Sequence, residues 1–321
     1  MSLLTSWLAS PLPDAAIQVA PESVSIVVLG SRSGEPVVQG YAIEPLPAGA
    51  VTPSLTATNI TARPAVAEAL RRALDRAAVR PRRAALVIPD PAARVSLVRF
   101  DQVPARHEDL DQLIRWQIRK SAPFPIEDAC LSFDLSTRAG RGGEFVVVLA
   151  RRDIVREYET VCEDAGMHAG LVDLATLSVA NLCLAARPAT TDGDWLVIHV
   201  QPTYTSVVIL RGRSVIFFRN STDADDTGLA DMVHQTTMYY QDRLEGEGFT
   251  RVLLGGTGRA PGGLDQVRRD LGERLGGTIE AIDPTRAAAL TDRISIAPDV
   301  MATLAPPVGV MMRARTEAVS A

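Results

Sequence analysis

The feature that most constrains this 321-residue chain is a pattern that occurs twice. Residues 16–19 and 24–29 read as strands around the short loop Ala20-Pro21-Glu22, and a third strand over 37–43 follows a Ser-Gly turn. The order returns with strands over 196–200, 205–210 and 215–219, joined by the loop Gln201-Pro202-Thr203 and the turn Arg211-Gly212-Arg213. One architectural unit used twice calls for two comparable halves. An amphipathic helix follows each unit, through Val66, Leu70, Ala73, Leu74 and Ala77 in the first and Leu229, Met232, Val233, Thr236, Tyr240 and Leu244 in the second. Strands alternating with such helices define an α/β class.

Between the units the order changes to strand (84–88), strand (95–100), helix (108–120), strand (131–135) and strand (145–149), which reads as a small subdomain inserted at about 90–150. Helices over 154–165 and 174–186 then flank a strand at 169–172. The expected division is a first domain over 1–173 and a second over 174–321, with an apolar last helix at 298–313 packing back on the first.

Charge and motifs remove several function classes. A net charge of −5 without a basic cluster argues against nucleic acid, whose phosphates demand clustered cations. Lys120 is the only lysine, so the P-loop pattern that ends in Gly-Lys-Ser/Thr is impossible. Cys130, Cys162 and Cys183 sit far apart among apolar neighbours and read as buried free thiols, as expected in a reducing cytoplasm. No apolar run approaches the roughly 20 residues of a membrane span and no signal pattern opens the chain, so a soluble protein is expected. Leu3, Leu4, Trp7 and Leu8 would share one face of a short N-terminal helix docked on its own domain, and Asp223, Asp225 and Asp226 read as a helix start.

The stretch Ile114-Arg115-Trp116-Gln117-Ile118-Arg119-Lys120-Ser121-Ala122-Pro123-Phe124-Pro125-Ile126-Glu127-Asp128 resembles the signature of the PilM family of type IV pilus assembly. There a Trp-bearing helix ends in Pro-Phe-Pro-Ile and an acidic pair. Val147-Val148-Leu149-Ala150-Arg151, Ala165-Gly166-Met167, Val172-Asp173, Met238-Tyr239-Tyr240-Gln241 and Pro306-Pro307-Val308-Gly309-Val310 extend the resemblance over nearly the whole chain. It implies an actin-like (ribonuclease H-like) fold of two domains with the insertion in the first, related to the cytoplasmic part of the secretion protein GspL. It also implies a cytoplasmic adaptor at the inner face of the inner membrane, gripping the N-terminal peptide of a PilN-like protein, with a pilus motor ATPase and further copies of itself as other partners.

Actin-like ATPases hold phosphates on two hairpin loops, and here both depart from that pattern. Gln18 and His199 stand where aspartates are expected, Ala20 and Gln201 where glycines are expected, and Pro21 has no N–H to donate. Thr203 and Thr205 keep hydroxyls, and Gly255-Gly256-Thr257-Gly258 resembles the adenosine loop. ATP and Mg²⁺ are therefore disfavoured, His199 reads as a packed or hydrogen-bonded strand residue, and the alternative is an ATP-binding or ATP-hydrolysing enzyme with divergent loops. For the partner peptide the resemblance points to Val98, Phe100, Leu113, Trp116 and Gln117, where a strand edge and a helix face meet.

Overall fold

The computed structural model describes residues 13–186, 193–222, 226–258, 263–291 and 297–320. The N-terminal Leu3, Leu4, Trp7 and Leu8, together with Asp223, Asp225 and the Asp226 side chain, lie outside the described residues. The chain opens with an antiparallel meander, β1 (Ala15–Val19), β2 (Ser23–Arg32) and β3 (Glu35–Pro45). Helix α1 (Arg63–Arg76) carries it to β4 (Arg83–Ile88), which lies parallel to β1. All five β1 residues are buried because both of its edges are paired and both of its faces covered.

The chain then builds β5 (Ala93–Phe100), α2 (His107–Ile118), β6 (Ala129–Ala139) and β7 (Gly142–Arg151), a separate antiparallel sheet in the order β5-β7-β6. Helix α3 (Arg152–Asp164) and β8 (His168–Leu174) complete the first unit, and α4 (Ala175–Ala185) leads out of it. The second unit repeats the meander with β9 (Asp194–Val200), β10 (Thr205–Arg211) and β11 (Ser214–Ser221). After it come α5 (Asp226–Arg243), β12 (Phe249–Gly255), α6 (Gly263–Leu275) and β13 (Ile279–Ala281). The two-residue β14 (Ala289–Leu290) returns to pair with β3, and α7 (Pro298–Ser320) ends the described chain, running past the expected end at 313. The two large sheets have the orders β14-β3-β2-β1-β4-β8 and β11-β10-β9-β12-β13.

The two-residue period of a strand fixes what each sheet face covers. Ile17, Val24, Ile26 and Leu86 point to α1 and α3, where Leu70 and Tyr158 complete one core. Their neighbours Ala16, Val27 and Val87 point the other way, into a cluster that includes Val179 and Leu182 of α4, Val308 and Met311 of α7, and Val197 and Val208 of the second sheet. Helices α4 and α7 therefore share one continuous core with both large sheets. The outer face of the second sheet packs Leu196, Ile198 and Ile209 against Val233 of α5 and Leu271 of α6.

Close approach of α7 to α4 depends on Gly309, since a Cβ there would overlap the Ser178 carbonyl oxygen. Gly309→Val is expected to destabilise the protein by about 3 kcal/mol in urea unfolding, an overpacking cost that fixed backbone cannot relieve. Gly277→Ala, where no atom crowds the added carbon, should stay within about 0.5 kcal/mol.

Candidate functional site

The two meander loops and the glycine loop after β12 converge where the large sheets face each other. One backbone amide of each loop, the kind of group a phosphate would require, is already engaged. The Ala20 N–H donates to the Ser23 carbonyl at 2.9 Å, that of Gln201 to the Tyr204 carbonyl at 2.8 Å, and that of Gly258 to the Val200 carbonyl at 3.1 Å. Gly256 adopts φ +115°, and a Cβ there would strike the Val200 backbone. Glycine at this position thus lets the loop lie directly on the second hairpin.

A chain of side-chain hydrogen bonds fills the space between. The Thr257 hydroxyl donates to Gln201 Oε1 at 3.0 Å. Gln201 Nε2 lies 2.7 Å from His199 Nε2, and His199 Nδ1 lies 2.8 Å from Thr176 Oγ1. The Thr176 hydroxyl donates to Asp90 Oδ2, while its backbone N–H reaches Asp90 Oδ1 at 3.0 Å. The Ser206 hydroxyl adds a second bond to Asp90 Oδ2 at 2.6 Å and accepts one from Asn220 Nδ2 at 2.8 Å. These directions are mutually consistent with one tautomer, in which His199 Nδ1–H donates to Thr176 and Nε2 accepts from Gln201.

Asp90 holds the centre. It follows β4 in a short turn between Pro89 and Pro91, buried, and it accepts from the first turn of α4, where the aligned peptide dipoles favour an anion. Burial pushes its carboxyl above the ordinary range, and the bonds from Ser206 and Thr176 oppose that shift. Burial pushes the His199 imidazole down to about 4, which leaves it neutral at pH 7. Both side chains are closed to solvent, and their bonds tie the end of β4 to α4, β9 and β10. Gln18 is also buried beneath the first loop. Among the described residues no group of three or more His, Cys, Asp and Glu is placed to hold a metal ion.

The residues singled out from sequence fall at different depths. Thr203 is exposed at its loop tip, Thr205 is buried in β10, and Gly255, Gly256 and Gly258 are buried beside Thr257. The sequence reading missed Asp90, Thr176, Ser206 and Asn220. The available signal was an aspartate set between prolines just after a strand whose last five residues are apolar.

The partner candidates lie at different depths on the edge strand β5 and the helix α2. Alternation along β5 turns Val98 and Phe100 toward α2, where Val98 is core and Phe100 lies 6.1 Å from the Phe145 ring. The Val98 side chain is therefore interior, while its strand β5 is an edge of the three-stranded sheet. Leu113 is half-buried, while Trp116 and Gln117 are exposed on the outer side of α2. Trp116 is 68% accessible, the most exposed large hydrophobic residue described.

Comparison with known proteins adds the family. Residues 16–233 match the family model described as type IV pilus assembly protein PilM. The solved "PilM-PilN type IV pilus biogenesis complex" is similar at 18% identity, covering 95% of this chain and 99% of that one, with a TM-score of 0.82. A protein of Bacteroides thetaiotaomicron VPI-5482 with an actin-like ATPase fold and unknown function is similar at 7% identity over 95% of this chain and 98% of its own, with a TM-score of 0.51. At such identities the likeness establishes the fold, which is actin-like.

Thr176→Val would strip Asp90 of a donor and His199 of an acceptor, leaving both buried, and is expected to cost about 2–4 kcal/mol in chemical unfolding. The pH dependence has a defined sign. Between about 6.5 and about 4 the unfolded chain protonates this histidine and the folded chain does not, so the His199 contribution falls on acidification, by about 3 kcal/mol in all. Asp90, shifted upward, acts in the opposite sense just above the ordinary carboxylate range. Thermal melts of His199→Gln at several pH values should show a shallower acid loss than the parent.

Proposed function

The chain belongs to the PilM family of type IV pilus assembly proteins, and from that membership we propose that it works as an adaptor that grips a partner peptide without turning over ATP. The observation that carries this reading is the closed polar chain from Thr257 to Asn220. It ties Asp90 of the first half to side chains of the second, while one amide of each loop bonds to the protein's own carbonyls. Hydrolysis would need a bound triphosphate, a supported cation and an activated water, and the two strand positions for carboxylates hold Gln18 and His199.

The partner class follows from the related complex, whose description pairs PilM with PilN. In this reading the partner is the short N-terminal peptide of a PilN-like inner-membrane protein, with a pilus motor ATPase and self-association as further contacts. Among the described residues no helix is long and apolar enough to cross a membrane. Attachment to the inner face of the inner membrane would then run through partners. Trp116 and Gln117 on the outer side of α2 are the surface candidates that fit this role, since an exposed tryptophan supplies a large contact area on a rigid element.

Titration calorimetry with such a peptide should show binding without nucleotide, and Trp116→Ala should weaken it at least about tenfold. In a melt with millimolar ATP and Mg²⁺, the expected shift is under about 1 °C. A large stabilisation would overturn the nucleotide-free part of the reading. Absence of peptide binding would overturn the adaptor part.

A further inference from the structure

The inserted subdomain is attached to each half of the molecule at a different place. The chain enters it from the Asp90 turn at Ala93 and leaves it at Arg151, and Ala93 pairs with Ala150, so entry and exit lie side by side. At that end the first half also holds it. Ala93, Val95 and Val148 pack against the core that includes Leu70 and Tyr158, and Arg152 of α3 donates to the Ala129 carbonyl at 3.2 Å. The other attachment is to the second half, where β11, the terminal strand of its sheet, lies against β5 and β6. There Ser136 Oγ donates to the Val215 carbonyl at 2.5 Å, and Ser214 Oγ donates to the Ser136 carbonyl. Ser136 sits at the β6 irregularity opposite Phe145 and Glu144 of β7. At strand spacing that is about 17 Å along β7 from Ala150.

The two attachments differ in kind. The first is made by the chain itself and by apolar packing. Across the second no apolar cluster runs among the described residues: the subdomain core draws on residues 98–149, and the clusters that hold Ile216 and Phe218 contain none of them. The two serines are half-buried, and neutral bonds of this kind are individually weak. The subdomain meanwhile keeps its own sheet and its own core under α2, so its fold does not rest on β11. A body hinged at one end and fastened at the other by weak polar bonds can turn as a unit. We propose that Ser136 and Ser214 form a latch, and that the inserted subdomain is a cover, hinged at Ala93 and Arg151, that swings off β11 while the two halves stay closed. Opening would bare the outer backbone edge of β11, the kind of edge on which strands pair, and would move α2 relative to the second half. The device does not depend on α2 being where a partner docks.

Residual dipolar couplings of backbone amides in the full chain test it, because they report the orientation of each folded body. In the parent, one alignment tensor should fit both large sheets and β5, β6 and β7. Each bond of this kind holds an opening equilibrium by roughly fivefold, so losing both should raise the open population about twenty-five-fold. In Ser136→Ala with Ser214→Ala, the couplings of β5, β6 and β7 should therefore shrink together, while the two large sheets keep a common tensor. Ser132→Ala, an exposed serine on the same strand, should behave as the parent. One tensor for the whole double variant would mean that the contact is rigid without the serines and would overturn the proposal. Separate tensors for the two large sheets would do the same, since the molecule would then open as a whole. So would averaged β5–β7 couplings already in the parent, where no latch would be holding, or loss of the dispersed β5–β7 amide shifts in the double variant, which would make the serines part of the subdomain's fold.

Discussion

The rest of the structure turns on a buried carboxylate that has no cation. Asp90 is shut from water, and an isolated charge there would be prohibitively unfavourable without donors. Its donors come from α4 and β10, and through Thr176 and Ser206 they extend to β9, β11 and the glycine loop. Satisfying one group therefore requires the two sheets to close on each other. Breaking any one of these bonds would leave a buried polar group unpaired, at a cost comparable to what a whole hydrogen bond contributes.

How far the sequence could be read depended on how far apart the interacting residues lie along the chain. The paired meanders, α1, α5 and the Pro-Phe-Pro stop after α2 are local patterns, and their elements stand close to the expected spans. β13 and β14 escaped, because three and two residues carry no period, and each becomes a strand only through the edge it joins. The Asp90 network escaped for a different reason. Its bonds join residues 86 and 116 positions apart, and a threonine or serine in an apolar run gives no sign of the carboxylate it will meet. His199 shows the intermediate case: its position marked a departure from the actin-like pattern, while its partners became visible only in three dimensions.

Val98 shows the same limit within the inserted subdomain. The resemblance placed it with Trp116, and strand alternation and helix periodicity set the two side chains in different frames. In the first Val98 faces α2, and in the second Trp116 faces away from the sheet. The subdomain core is closed by Ile114, Ile118 and Phe145, which leaves the outer side of α2 free of any packing duty. An exposed tryptophan there contributes nothing to the core, so stability does not explain its presence.

The continuous core between the sheets joins the two halves over a broad apolar contact. In a hinge, the halves meet through a few contacts and a bound molecule supplies the rest. Here α4 and α7 contribute Val179, Leu182, Val308 and Met311 to a cluster that also holds Val27 and Val197, one from each large sheet. The C-terminal segment adds an ion pair from Arg313 to buried Asp173 and a strand on β3. Opening would expose apolar surface on both sheets and break the polar chain in the same motion, so the two terms reinforce each other. The halves are thus held closed by the protein's own side chains, apolar in the core and polar along the chain that centres on Asp90.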